Sequence, residues 1–382
     1  MERPCSPQQN TRGTSVFLSS NETKMKERLR ILLCGFVNHA NAQNINCSAI
    51  ARYVDKQKFD VHAFYAKERP LDREAFAGVT LHPVSVRRGI ARLSPIRIFT
   101  QMMVGAYDLL YMPKMMRTDV TYATCFGQRK CLVSSVEGVI SECVNNEPER
   151  RRYFARMSAI FAISRGIQES VEKHWRRGCP LLYLGHECPA MEERHRESVR
   201  TVVYVGNIKE NKRPFLFLEC ARAFPDLRFI MIGDGDLEHE VREHILRERL
   251  SNVTLTGRLP NQRVYESLYT ADLLLMTSKN EGLPKVILEA ASCGVPAIYL
   301  NECYSVDYIE DGITGYAVPD VAGMIDRIRQ LQGDPATFGK ISRKAQEMAK
   351  AYHWSKLIGG YERFFEDAYL TWRGKKGTRK GL

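Results

Sequence analysis

The sequence predicts an α/β protein built of two Rossmann-like domains that face each other across a cleft, and three observations predict it. Apolar runs of strand length alternate with helical or polar stretches through both halves, as in parallel sheets covered on both faces. The polar stretch Gly185 to Arg200 interrupts that rhythm, which starts afresh with Thr201-Val202-Val203-Tyr204-Val205-Gly206. A chain of 382 residues, 44% of them hydrophobic, is long enough to bury two cores.

In the first half, Arg30 to Phe36 is an apolar run closed by Gly35-Phe36, and after a polar loop Ser48 to Lys56 reads as a helix. Further strands are expected at Phe59–Tyr65, Leu109–Met112, Lys130–Ser135 and Ala159–Ile163. In the second half the order is strand Arg228–Ile232, strand Val253–Thr256, helix Gln262–Tyr269, strand Asp272–Thr277 and strand Ala297–Leu300. Val321, Met324, Ile325, Ile328 and Leu331 then fall on one face of an amphipathic helix. The expected division is a disordered polar leader at 1–25, a first domain at 26–190, a second at 200–355, and a closing helix with a mobile basic tail at 356–382.

Composition excludes several classes. The longest apolar runs, such as Leu273-Leu274-Leu275-Met276, fall far short of the roughly 20 residues that cross a bilayer. The 11 cysteines are an odd number without Cys-x-x-Cys pairs, and Cys34 and Cys131 lie in strand-like runs, which predicts reduced, buried thiols in a cytoplasmic protein with no metal site. The net charge of +12 is concentrated in residues 1–190, where 28 lysines and arginines face 17 acidic residues. Such a field suits an anionic membrane surface, nucleic acid or a phosphorylated substrate, or is only a soluble basic surface. Val86 to Gln101, VRRGIARLSPIRIFTQ, interleaves four arginines with Ile, Leu and Phe, and Arg150-Arg151-Arg152 with Arg156 adds a second cluster. No nucleic-acid-binding module accompanies them.

The chemistry concentrates in Asn280 to Ala290, NEGLPKVILEA. A polar loop ends at Pro284, where a helix can begin because the missing N–H is not needed in the first turn, and Gly294 stops it. The free N–H groups at that helix start suit a phosphate or diphosphate. Carboxylates on either side, Glu281 and Glu289, can accept hydrogen bonds from hydroxyls of attached groups, or serve only the helix dipole and the solvated surface. Upstream, Ile230 to Asp236 is a strand running into Gly233-Asp234-Gly235-Asp236, a tight turn rather than a metal-binding pair of aspartates.

The segment Ala271 to Pro296 resembles the signature of retaining glycosyltransferases of family 4, group 1, which have the GT-B fold with a C-terminal helix crossing back to the first domain. The family's Glu-x7-Glu motif is met by Glu281 and Glu289. The resemblance implies that Glu281 contacts donor sugar hydroxyls, that backbone at Gly282, Leu283 and Pro284 faces the sugar and diphosphate, and that Glu289 holds the nucleotide ribose. Gly206 to Lys212 resembles the family's first loop, where Lys212 matches the diphosphate lysine but Asn207 stands where many members have Arg; Lys209 and Arg213 are the candidates to compensate. Gly235 falls in the family's donor-side turn, and Gly35 where backbone approaches the diphosphate and acceptor. Glu137 takes the place of a histidine that faces the donor sugar, and either orients a hydroxyl or is a surface-loop residue. His353-Trp354 and a helix at Lys356–Tyr369 resemble the crossing segment.

The implied activity is transfer of a hexose from a nucleotide-diphosphate sugar to a hydroxyl of a glycan or lipid-linked acceptor, in polysaccharide, lipopolysaccharide or glycolipid synthesis. No cofactor is implied, and the expected location is cytoplasmic, peripheral on the inner membrane face. The alternatives are a glycosyltransferase-like protein that binds without turnover, and another GT-B enzyme such as a sugar-nucleotide epimerase.

Overall fold

Twelve strands among the described residues form two six-stranded parallel sheets with the same winding. The computed structural model describes residues 28–39, 42–87, 90–138, 140, 147–188, 197–303 and 306–379. The expected leader lies outside them.

The first domain runs β1 (Leu29–Phe36), α1 (Ala42–Tyr53), β2 (Phe59–Ala66), β3 (Val79–Val84), α2 (Ser94–Val104), β4 (Leu109–Tyr111), α3 (Arg117–Phe126), β5 (Cys131–Val136), α4 (Glu147–Ala155), β6 (Ala159–Ala162) and α5 (Arg165–Trp175). The second runs β7 (Thr201–Val205), α6 (Pro214–Ala223), β8 (Arg228–Ile232), α7 (Glu238–Arg247), β9 (Val253–Gly257), α8 (Asn261–Thr270), β10 (Leu273–Met276), α9 (Lys285–Ser292), β11 (Ala297–Leu300), β12 (Gly315–Val318), α10 (Val321–Gly333) and α11 (Pro335–Ala351), and α12 (Trp354–Arg379) ends it.

The sheet orders are β3-β2-β1-β4-β5-β6 and β12-β11-β10-β7-β8-β9. Each sheet therefore changes winding direction beside its first strand, between β1 and β4 and between β7 and β10. Loops leaving the carboxyl ends of those strands line a crevice, the usual ligand position in open parallel sheets. The strands are apolar throughout because helices cover both faces: all of Leu273–Met276 and Ala297–Leu300 is buried.

Two connections join the domains. His186 N–H donates to the Tyr352 carbonyl (3.1 Å) and Trp354 N–H to the His186 carbonyl (3.2 Å), so the outgoing and returning chains run side by side. Beyond that bridge α12 packs on the first domain, with the Phe365 ring 6.4 Å from Phe59 and 6.0 Å from Tyr111, and Asp55 N–H donates to Glu362 Oε1 (2.8 Å).

Several expected boundaries move. The first helix begins at Ala42 rather than Ser48, because Asn44 is anchored inside it: its Oδ1 accepts from Phe36 N–H (2.8 Å) at the end of β1. β3 escaped the sequence reading because it contains Pro83, which is tolerated on an edge strand. The polar stretch after Gly185 is more than a linker, since His186 and Cys188 are buried; residues 189–196 lie outside the described set. The basic tail expected to be mobile is helical to Arg379, and Lys376 Nζ donates to the Arg129 carbonyl (2.9 Å) while sitting over the Trp372 ring. Long basic side chains are good helix formers, and here they find a docking surface.

Candidate functional site

In the second domain the loop after β7 and the loop after β10 are bound into one unit. Thr277 Oγ1 donates to the Lys212 carbonyl (2.6 Å), Lys279 N–H to the Asn211 carbonyl (2.9 Å), and Asn211 Nδ2 to the Asn280 carbonyl (2.8 Å). This lacing brings Lys212 Nζ into an ion pair with Glu281 Oε1, both side chains partly accessible. The two residues picked from stretches 69 apart in the sequence thus meet at one point.

The turn after β8 supports the first of these loops from below. A Cβ on Gly233, whose φ is +145°, would lie 1.9 Å from the Gly206 carbonyl oxygen, and one on Gly235 would lie 2.4 Å from that of Ile208. Glycine is required there by backbone contact. Gly206 N–H donates to the Ile232 carbonyl (3.0 Å) in the same contact. Asn207 is exposed and its carbonyl accepts from Tyr204 Oη (2.9 Å). Of its basic neighbours, Arg213 is held by Glu302 and Lys209 lies 4.0 Å from Asp236. Among the described residues no group of three His, Cys, Asp or Glu is placed to hold a metal.

Helix α9 starts at Lys285, one residue after Pro284, whose carbonyl accepts from Tyr308 Oη (2.9 Å). Leu283 is buried. Gly282 meets the first domain: its ideal Cβ would stand 2.1 Å from the Glu137 carbonyl oxygen. Glu137 follows β5, and its Oε1 accepts from Ser135 Oγ (2.8 Å) and Asn46 Nδ2 (3.5 Å). Burial pushes its carboxyl above the usual range. It is therefore a cleft residue with polar anchors rather than a solvated loop glutamate. Gly35 lies deeper, where a Cβ would strike Cys47 Sγ at 2.6 Å, so glycine lets α1 close on β1. Lys114, after β4, sits 5.1 Å over the Phe36 ring and is pushed down by burial. His39 is likewise pushed down by burial.

Behind this junction lies a cavity of about 340 Å³ whose walls include Ile45 and Glu187 before the domain crossing and Val205, Tyr265, Lys285 and Glu289 after it. Glu289 and Glu187 are pushed up by burial, and Glu187 pairs with Arg52. Lys285 is pushed down by burial against the opposing pull of Glu289, Glu187 and Glu137. One cation, Lys285 at the start of α9, and two carboxylates, Glu187 and Glu289, thus line one chamber between the domains, where hydroxyls have acceptors and an anion has the lysine.

Lys285, Glu187 and Tyr265 were missed by sequence reasoning. Lys285 had a usable signal, since it precedes Glu289 by four residues on a helix and must share its face. Glu187 had none, because it reaches the chamber only through the parallel bridge of the two connections.

Residues 191–351 match the family described as Glycosyl transferases group 1. The chain is similar to N-acetyl-alpha-D-glucosaminyl L-malate synthase of Bacillus anthracis, 27% identical over 181 residues, or 45% of this chain and 46% of that protein. It is also similar to alpha-D-kanosaminyltransferase of Streptomyces kanamyceticus, 30% identical over 168 residues, or 41% and 43%. The chain spans about half the length of the curated relatives it matches. Among solved structures, Anabaena HepE in complex with UDP and glucose has a TM-score of 0.71 at 17% identity, covering 89% of this chain and 100% of that one. Sucrose-phosphate synthase from Thermosynechococcus elongatus has a TM-score of 0.71 at 16% identity, covering 90% and 100%. The fold is thus the two-domain GT-B architecture, and the family match to the second domain supports a group 1 glycosyltransferase.

Proposed function

We propose that this chain is a retaining glycosyltransferase, transferring a hexose from a nucleotide-diphosphate sugar to a hydroxyl of a glycan or lipid-linked acceptor. The observation that carries the reading is the meeting of Lys212 with Glu281 just ahead of α9, the helix whose Lys285 and Glu289 line the chamber between the domains.

In such a transfer the sugar becomes cationic at its anomeric carbon while the diphosphate gathers negative charge. In this reading Lys212 and the backbone N–H groups at Gly282 and Leu283 stabilise the departing phosphate, and this electrostatic work is the main catalytic demand. Glu281, beside Lys212, orients the sugar hydroxyls. Glu289, inside the chamber, accepts from the ribose. Glu137 faces the same junction from the first domain and orients the sugar or the incoming hydroxyl. The departing phosphate itself takes the acceptor's proton, so no separate base is assigned. Closure of the domains excludes water, which otherwise competes as acceptor.

A reading as a protein that binds donor without turnover draws on one observation, that Lys209 and Arg213 beside Asn207 are already engaged by acidic partners. One experiment separates the two. The protein is incubated with UDP-, GDP- and ADP-sugars while melting temperature and release of nucleoside diphosphate are followed. A stabilising sugar nucleotide that is also consumed supports the enzyme, stabilisation without release supports the binding protein, and neither effect with any donor overturns both.

A further inference from the structure

We propose that the outer face of α2, with the groove between α2 and α3, is a docking surface for an anionic lipid bilayer. The inference rests on the reading above only in that a bilayer would present a lipid-linked acceptor.

Large apolar side chains left in water are scattered singly over most of this molecule, but six gather here. Leu93 (62% exposed), Ile96 (64%) and Val104 (69%) stand out, with Val86, Met103 and Met116 beside them. The remaining exposed large apolar residues are dispersed over both domains. Ile98 and Met102 on the same helix are buried, so α2 uses one face for the core and leaves a second apolar face open. Between α2 and α3 runs a groove of about 340 Å³ whose walls include Pro95, Ile96, Phe99 and Thr121, with Arg117 on its rim. An apolar patch rimmed by polar groups marks an interaction surface.

Charge selects the occupant. No acidic residue occurs between Glu74 and Asp108, a stretch that contains Arg87, Arg88, Arg92 and Arg97. Arg87, Arg92, Arg97 and Arg117 are all exposed and enter no ion pair among the described residues. A second copy of the chain related by two-fold symmetry would bring these arginines against each other, which disfavours a dimer through this face. A helix with exposed apolar side chains flanked by unpaired arginines instead matches the boundary between acyl chains and anionic headgroups. Met116 at the edge of the patch is two residues from Lys114, which packs 5.1 Å over the ring of Phe36 at the carboxyl end of β1.

The test is co-sedimentation of the full chain with vesicles of phosphatidylcholine alone and of phosphatidylcholine with one quarter phosphatidylglycerol. The expected result is pelleting with the anionic vesicles only, weakened by salt. The double variant Arg92→Gln/Arg97→Gln should weaken partitioning roughly 30-fold, since each arginine near such a surface contributes comparably. Ile96→Ser/Val104→Ser should also release the protein, at unchanged melting temperature because both positions are exposed. Equal pelleting of the variants, no pelleting of the wild type, or a dimer in light scattering that Ile96→Ser dissociates would each overturn the proposal. If a sugar nucleotide still stabilises the protein while vesicles do not bind it, the membrane inference fails alone. If vesicles bind and no sugar nucleotide does, the activity assignment fails instead.

Discussion

The backbone of Gly282 lies against the backbone of Glu137, so close that a Cβ on Gly282 would stand 2.1 Å from the Glu137 carbonyl oxygen. The loop ahead of α9 and the end of β5 therefore touch across the cleft without an intervening side chain. A carbonyl held in a strand end cannot rotate away as a flexible side chain can. Gly282→Ala is expected to hold the domains apart and to lower transfer at least tenfold, at an overpacking cost of about 1–3 kcal/mol. Small-angle scattering and steady-state rates on the variant check this. An unchanged radius of gyration with full activity would show that the contact does not govern closure.

The pair of Lys212 and Glu281 separates stability from catalysis. Both side chains keep some contact with water, 25% and 16% exposed, so the pair contributes no more than about 1 kcal/mol to folding. Removing a charge that stabilises a developing oxyanion costs far more, about 100- to 1000-fold in turnover. Lys212→Ala is accordingly expected to melt within a few degrees of the wild type while losing turnover by that factor, and Glu281→Gln, which disturbs the sugar hydroxyls and the seating of Lys212, to melt likewise with turnover lowered at least tenfold. Turnover within twofold of the wild type in both variants would remove the pair from the mechanism.

What the sequence disclosed follows from where each interaction is encoded. The α9 motif was legible because strand, loop, Pro284 and Gly294 are contiguous, and local rules set the helix start and stop to within a residue. The meeting of Lys212 with Glu281 was reachable only because both stretches end strands at a winding reversal, where parallel topology brings their loops together. Glu187 entered the chamber through main-chain pairing of His186 with His353, a non-local contact that no periodicity announces. The apolar face of α2 was half legible: the arginines were visible in Val86 to Gln101, but which apolar residues turn outward depended on the packing of α2 against β3 and α3.

Glu289 sits in the chamber with its carboxyl pushed up by burial. Its assigned partner is a pair of hydroxyls present equally in the ground and transition states, so its loss is expected to weaken binding more than turnover. Glu289→Gln keeps the shape and one acceptor oxygen, and should raise the KM for the donor about tenfold, with kcat changed by less than threefold. The raised pKa gives a second readout. Donor affinity of the wild type should fall as pH drops toward the carboxyl's raised value, and the variant should lose the part of that fall owed to Glu289. A variant that lowers kcat alone would place Glu289 on the reacting sugar instead.

The last relationship lies far from the chamber, on the outer strands of the first domain. His62 Nδ1 and His82 Nε2 lie 2.9 Å apart with their rings stacked at 5.2 Å, and Tyr107 Oη is 3.2 Å from the same His82 nitrogen. Burial, reinforced by the neighbouring His62, pulls His82 down to about 4. Because the folded value is below the unfolded one near 6.5, the contribution to stability is complete above pH 6.5 and is lost as pH falls toward 4. A shift of this size corresponds to about 3 kcal/mol for a fully shielded group, and partial exposure reduces it to about 1–2 kcal/mol. The raised carboxyls Glu137, Glu187 and Glu289 act in the opposite sense over part of that range, so the wild-type curve alone mixes the two. The informative quantity is the difference in melting temperature between the wild type and His82→Gln, measured from pH 7.5 to 4.5. It should favour the wild type most above pH 6.5 and shrink steadily below it, because only the wild type must keep His82 neutral, while His62 is present in both proteins. A difference independent of pH would show that the stacked pair does not resist protonation.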